Sequence, residues 1–287
     1  MTSSLISSRN APLKATEQNA KASPDFEAKL AETAALLQQA AADFQPLTQA
    51  SSLGAEDVVI THIINRLRLD IPVFVLETGA LHTETLALLE RTQAHSRAPV
   101  KVYRPEQESV VWFIRNEGQD AMYKSIQLRK ACCNIRKMEP LGRALQGQRA
   151  WITGLRQEQS TARAEVPLLD TSEEATKGLA KFNPLAQWTW GDVWHYIAEH
   201  KVDYNPLHDQ FFPSIGCAPC TRAISLGEDF RAGRWWWEDE AAKECGLHVV
   251  AGIALLPEHG TGHMAESVGG VPVLIAQTAQ SHDENSV

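Results

Sequence analysis

The sequence predicts an α/β fold: a mainly parallel, twisted sheet flanked by helices. Three observations carry this. Short apolar runs of strand length alternate with amphipathic stretches of helix length between Pro46 and Thr153, the pattern of βαβ units. The run Pro72-Val-Phe-Val-Leu76 is apolar without alternation, as expected of a strand covered on both faces. Several runs end in a polar turn containing glycine, at Ser51–Gly54, Glu77–Gly79 and Gly154–Arg156, and the carboxyl ends of parallel strands are where open α/β sheets bind ligands.

Residues 1–24 are polar and rich in Ser and Ala and read as a disordered arm. Asp25–Phe44 has apolar residues at helical spacing and predicts a helix. Pro46–Ser52 is a short strand running into a turn. Gly54-Ala55-Glu56-Asp57 opens a second helix, its acidic first turn suited to the helix dipole. A strand at 72–76, a helix at 83–93, a strand at 100–103, a helix at 109–116 and a strand at 149–153 follow. Lys130–Met138 reads as a helix with Cys132-Cys133 at its start, and residues 190–200 as another, beyond the sheet with Trp235–Trp237. The division expected is one domain over 25–235, a mobile segment over 236–248 and a tail over 249–287 that shows no motif.

The chain has 287 residues and a formal charge of -8, which argues against broad nucleic-acid binding but allows an anionic small molecule held by a few focused cations. No apolar stretch is long enough for a transmembrane helix, and the N-terminus has no signal-peptide core. Five cysteines, an odd number, in a chain this large make a disulfide framework improbable and a reducing cytoplasm the default. The oligomeric state, a homo-oligomer included, is left open.

Those cysteines are the most informative residues. They fall as Cys132-Cys133, Cys217-Ala-Pro-Cys220 and a lone Cys245 in Glu-Cys-Gly-Leu-His248. Two pairs read as four ligands of one metal site. Adjacent cysteines on a helix point about 100° apart, which a multi-iron cluster spans more easily than one zinc ion. Zinc, a redox dithiol at Cys217–Cys220 and plain buried thiols are the alternatives. Cys245, left over, reads as a nucleophile or as a structural thiol. The ten histidines show no metal-ligand spacing.

The order Ser51-Ser-Leu-Gly-Ala-Glu-Asp57, Glu77-Thr-Gly-Ala-Leu-His-Thr-Glu-Thr85, Cys132-Cys-Asn-Ile-Arg-Lys137, Gly154-Leu-Arg-Gln-Glu-Gln-Ser160, Cys217-Ala-Pro-Cys-Thr-Arg222 and Glu244-Cys-Gly-Leu-His248 resembles the assimilatory adenylylsulfate reductases, the iron–sulfur branch of the phosphoadenylylsulfate reductase family. The first of these segments is similar to a degenerate pyrophosphatase loop, so the resemblance implies the PP-loop-like fold of the adenine nucleotide α-hydrolases. It implies a [4Fe–4S] cluster on Cys132, Cys133, Cys217 and Cys220, a nucleophilic Cys245, adenosine 5′-phosphosulfate as substrate, and thioredoxin or glutaredoxin as electron donor. The substrate residues expected are Ser51, Ser52, Leu53, Gly54 and Asp57 in the loop after the first strand, Glu77, Thr78 and Gly79 after the second, and Gly154 with Arg156 after a third. Lys137, Arg156, Arg163, Arg231 and Arg234 are the expected counter-charges to the phosphosulfate. The 3′-phosphorylated nucleotide is an alternative substrate, and a non-catalytic iron–sulfur or zinc sensor an alternative function.

Overall fold

The computed structural model describes residues 13–160, 163–171 and 179–238. Its centre is a six-stranded sheet in the order β3-β2-β1-β4-β6-β5. The strands are β1 (Leu47–Ser51), β2 (Val73–Leu76), β3 (Val100–Tyr103), β4 (Ala150–Ile152), β5 (Leu169–Asp170) and β6 (Ala180–Phe182). All pairings are parallel except that of β5 with β6. The parallel core matches the predicted fold class. The two short strands β5 and β6 carry no alternation that marks them in sequence; the pairing of β6 with β4 and of β5 with β6 makes them strands.

Helices α2 (Phe26–Asp43), α3 (Ala55–Leu67), α4 (Thr83–His95), α5 (Gln107–Glu117) and α8 (Trp190–His200) cover the sheet or its margins, α8 entering with a Thr189–Asp192 capping box that satisfies orphan N–H groups of its first turn. The principal core joins Val59, Ile60, Ile63 and Ile64 of α3, Val75, Ile152 and Phe182 of the sheet, and Trp188 and Trp194. Among the described residues no helix is long and apolar enough to cross a membrane.

Two expectations need correction. The arm expected to be disordered to residue 24 is ordered from residue 13: α1 (Ala15–Asn19) docks on the body through Ala15 N–H to Asp209 (2.7 Å), Lys21 N–H to the Gly191 carbonyl (3.2 Å) and Ser23 to the buried Asp192. These partners lie about 170–190 residues away, so no local signal records them. The helix expected over 130–138 is instead three pieces: α6 (Ile126–Cys133), a π-helical turn over Asn134–Met138, and α7 (Glu139–Leu145). The Ser125 side chain accepts from Leu128 N–H (3.1 Å) and starts α6 early, so Cys132-Cys133 closes a helix rather than opening one. The π turn itself carries Arg136 and Lys137, and such turns are frequent at functional sites.

Candidate active site

The chain winds from β1 outward to β3 and then returns to place β4 on the other side of β1. That reversal leaves a crevice at the carboxyl ends of β1 and β4, where doubly wound sheets bind ligands. A cavity of about 200 Å³ lies there, lined among others by Ser51, Ser52, Gly54 and Asp57 after β1, Thr78 after β2, and Thr153 and Gly154 after β4.

The loop from β1 to α3 is held by Asp57. Its carboxylate accepts from Ser52 N–H (2.6 Å) and from the Ser52 hydroxyl (2.7 Å). Gly154 passes so close that any Cβ there would collide with this carboxylate, which accounts for a glycine at that position. Burial pushes the Asp57 carboxyl up to about 6, against the hydrogen bonds from Ser52. Leu53 sits at φ 62° with its side chain buried, a left-handed residue secured by apolar packing.

Beside it, burial works against the charge of Glu56, but the Arg156 guanidinium and the Gln159 amide outweigh it and hold the carboxyl below the usual range. Arg156 Nε donates to Glu56 (2.9 Å), and Nη1 reaches Glu158 and the Trp188 carbonyl (3.2 and 3.3 Å). The guanidinium lies 5.3 Å from the Trp190 ring. Gln159 bridges Glu56 (2.9 Å) and Arg163 (2.6 Å), and so fixes Arg163 in the cavity wall.

The cationic wall comprises Lys137, Arg163, Arg231 and Arg234. The three arginines are buried, at 7, 9 and 7% exposure. Arg234 donates to the Ser214 hydroxyl and the Ile215 carbonyl (3.3 and 3.4 Å) and stacks on Trp235 at 4.7 Å. Its Nε is buried without a hydrogen-bond partner, leaving a donor for an anion. A Cβ at Gly216 would strike this guanidinium.

A second cavity, about 350 Å³, is lined by all four paired cysteines together with Arg129, Arg136 and Lys137. Cys132, Cys217 and Cys220 are buried and Cys133 half-buried. The two pairs meet because Ala218 N–H donates to the Ala80 carbonyl (2.7 Å), next to a bridge between Leu81 and Cys217. Arg136 ties the strand end to the π turn, donating to the Thr78 carbonyl (2.6 Å). Burial and the neighbouring Cys217 push the Cys220 thiol up to about 12; burial also raises Cys132, with Arg136 opposing. Four thiols brought together, two of them, Cys132 and Cys220, raised by burial, and ringed by guanidinium and ammonium groups, suit a cationic metal centre whose thiolate complex keeps net negative charge. Among the described residues, no three His, Cys, Asp or Glu side chains draw in around a single metal-ion position.

The residues read from sequence divide as follows. Ser51, Ser52, Gly54, Asp57, Thr78, Gly154, Lys137, Arg163, Arg231 and Arg234 line the first cavity. Gly79 lines the thiol cavity. Leu53 is packed beneath the loop, and Glu77 accepts from Gly79 N–H (2.6 Å) and Arg104 (3.0 Å); neither lines the first cavity. Arg156 is the correction of substance: it is absent from the cavity wall, because the buried acid Glu56 claims its guanidinium. Cys245 lies outside the described residues. The segment expected to be mobile from 236 is anchored over its first residues, with Trp237 against Tyr123 (4.5 Å) and Glu238 in a buried ion pair with Arg129 (2.7 Å). Sequence reading missed Gln159, Thr85 and His208 in the cavity wall; Gln159 and Thr85 lay in motifs already singled out, and His208 in none.

A parallel sheet with a cation-walled crevice at its switch point and a cysteine-lined cavity beside it is the architecture of an α/β enzyme that takes an anionic ligand. Residues 46–223 match the model of the phosphoadenosine phosphosulfate reductase domain. A relative from Allochromatium vinosum, named adenosine 5′-phosphosulfate reductase, is 53% identical over 74% of this chain and 82% of its own length. One of the same name from Burkholderia cepacia is 46% identical over 84% of this chain and 96% of its own. The solved phosphoadenylyl-sulfate reductase of Candida auris, in a phosphate complex, superposes with a TM-score of 0.56 at 26% identity, over 70% of this chain and 98% of that one. The chain belongs to the phosphoadenosine phosphosulfate reductase family, within its adenylylsulfate reductase branch, and is an oxidoreductase acting on sulfur.

Proposed function

We propose that this chain reduces adenosine 5′-phosphosulfate to sulfite and AMP in assimilatory sulfate reduction, through a thiosulfonate on Cys245. The observation that carries this reading is the shared wall: Lys137 lines both the nucleotide cavity and the thiol cavity. One ammonium thus serves the bound anion and the thiol nest together. Identities of 46–53% to relatives named for adenosine 5′-phosphosulfate, against 26% to the solved enzyme named for the 3′-phosphorylated nucleotide, favour the former as substrate.

The nucleotide would lie on the loop after β1, its phosphosulfate against Lys137, Arg163, Arg231 and Arg234. Buried arginines bind oxyanions in a fixed fork, and here they would draw electron density from the sulfur. The Cys245 thiolate attacks that sulfur, the bond from sulfur to the phosphate oxygen breaks, and AMP leaves with the electron pair, stabilised by the same cations. A thiolate of an external dithiol, thioredoxin or glutaredoxin, then attacks the Cys245 sulfur. Sulfite departs, and the second donor thiol resolves the mixed disulfide, so that both electrons come from the donor. Cys132, Cys133, Cys217 and Cys220 would hold a [4Fe–4S] cluster. When bound, the cluster supplies a fixed anionic charge beside Lys137 and braces the two cysteine segments. The cavity of about 350 Å³ supports a multi-iron group over a single ion.

The test is chemical. Incubated without reductant with nucleotide labelled in the sulfate group, wild-type protein should retain label and Cys245→Ser should not; label on the serine variant overturns the nucleophile. Iron and sulfide quantitation should give about four of each per chain, lost together in Cys132→Ser; stoichiometric zinc in their place overturns the cluster.

A further inference from the structure

His208 is a buried titratable side chain that the reaction above leaves unused. It sits in the short helical turn Pro206–Gln210 and is 7% exposed, in the wall of the nucleotide cavity. Both ring nitrogens are buried without a hydrogen-bond partner; the Phe212 backbone acts on the ring only outside good hydrogen-bond geometry. A polar ring left unpaired in a dry wall is costly unless a ligand completes it.

Packing fixes the ring in place. Trp194 and Trp190 stand against it edge to face, at 5.2 and 6.1 Å, and an indole offers no acceptor. The turn itself is set by Asn205, whose side chain accepts from Leu207 N–H (3.1 Å) and donates to Thr85 (2.8 Å). The rigid imidazole is therefore not adjusted by rotation to meet a protein partner.

Charge decides which part of a nucleotide it meets. The charges acting on the ring are Glu56 and Asp209, both anionic, whereas Lys137, Arg231 and Arg234 make the cationic wall. An oxyanion belongs with those cations and not beside the Glu56–Arg156 pair, whose charges are already matched. Burial pushes the imidazole down to about 4, so at neutral pH the ring is uncharged, with one donor and one acceptor. A hydroxyl, which donates and accepts, is served by either tautomer.

We propose that His208 is a binding residue for the nucleoside half of the substrate, hydrogen-bonding a ribose hydroxyl from the cavity wall. The assignment rests on the nucleotide reading of this cavity.

The test uses the full chain and calorimetric binding of AMP, 2′-deoxy-AMP, 3′-deoxy-AMP and inorganic pyrophosphate. His208→Ala should weaken AMP about tenfold, the loss of one hydrogen bond to a buried group, and leave pyrophosphate unchanged. His208→Gln, which keeps a donor and an acceptor, should recover part of the loss. On wild-type protein one of the two deoxy nucleotides should bind about tenfold more weakly than AMP, and that penalty should vanish in His208→Ala. AMP bound equally by wild type and both variants overturns the assignment, as does a deoxy penalty that persists in the alanine variant. If that variant does not fold, equal binding of all three nucleotides to wild-type protein overturns it. Wild-type protein that binds no AMP overturns the nucleotide reading and the inference with it.

Discussion

The two cavities share Lys137 and little else. The first cavity is built at strand ends, and the loop that opens it is held locally: Ser52 and Asp57 are bonded five positions apart. The thiol cavity is built from segments about 85 residues apart, α6 with its π turn and the loop at Cys217–Cys220, joined at the β2 end through Ala80 and Leu81. The first is stiffened by a buried carboxylate, Asp57, and the second by a buried ion pair, Arg129–Glu238, with side chains 1 and 3% exposed. Damage to one should therefore leave the other largely intact, and Lys137 alone should join them.

The largest expected effect tests that independence on the thiol side. Arg129→Met leaves Glu238 buried and unpaired, which should cost about 3–5 kcal/mol of stability and lower iron content. The measurements are the urea midpoint and iron per chain; folded variant protein should bind AMP as wild type does, and a parallel loss of AMP binding breaks the comparison. Lys137→Ala acts on both cavities. It should lower kcat/KM for adenosine 5′-phosphosulfate by about 10²–10³-fold, the loss of one charged donor at the reacting group, and alter the visible spectrum of the loaded enzyme. A variant altered in only one of the two readouts would assign Lys137 to one cavity.

A smaller effect probes the nucleotide side through pH. Burial holds the folded Asp57 carboxyl up at about 6, above its usual 3.8, so its protonated form favours the fold. That stability is present in full below about pH 4 and is lost as pH rises through 6, a difference of roughly 2–3 kcal/mol. Asp57→Asn, neutral throughout, should remove this dependence. His208, held near 4 from 6.5, acts with the opposite sign: its contribution is present above 6.5 and is lost as pH falls toward 4. The difference between Asp57→Asn and wild type, followed by urea midpoint from pH 4 to 7, isolates Asp57; a pH-independent difference would mean that its carboxyl is not raised.

Much of the sheet was legible because parallel strands buried on both faces leave unbroken apolar runs, as at 72–76, and because turn glycines punctuate them. Gly154 is an instance with a visible cause, the Asp57 carboxylate against its Cα. Arg156 misled for an equally physical reason. From sequence it is a cation at the end of a strand, like Arg231 or Arg234 near the site. Its difference from them is the buried Glu56, 100 positions away, which takes the guanidinium. His208 was invisible because histidine spacing says nothing of a ring whose role depends on Trp190, Trp194 and a cavity wall. The helix expected from Lys130 begins instead at the local Ser125 cap, bonded to Leu128 N–H three residues on, and passes into the π turn at Asn134.

Sequence alone determined the parallel α/β class, the set of four paired cysteines with a fifth apart, and the motif order that marks the family. These depend on residue type and local spacing, which the chain carries without folding. Tertiary structure alone decided that Lys137 stands in the wall of both cavities, that Arg156 serves Glu56 instead of an anion, that the N-terminal residues from 13 dock on the body, and that His208 faces the nucleotide cavity. Each of those depends on which distant groups are buried together, and burial is fixed only when the chain closes on itself.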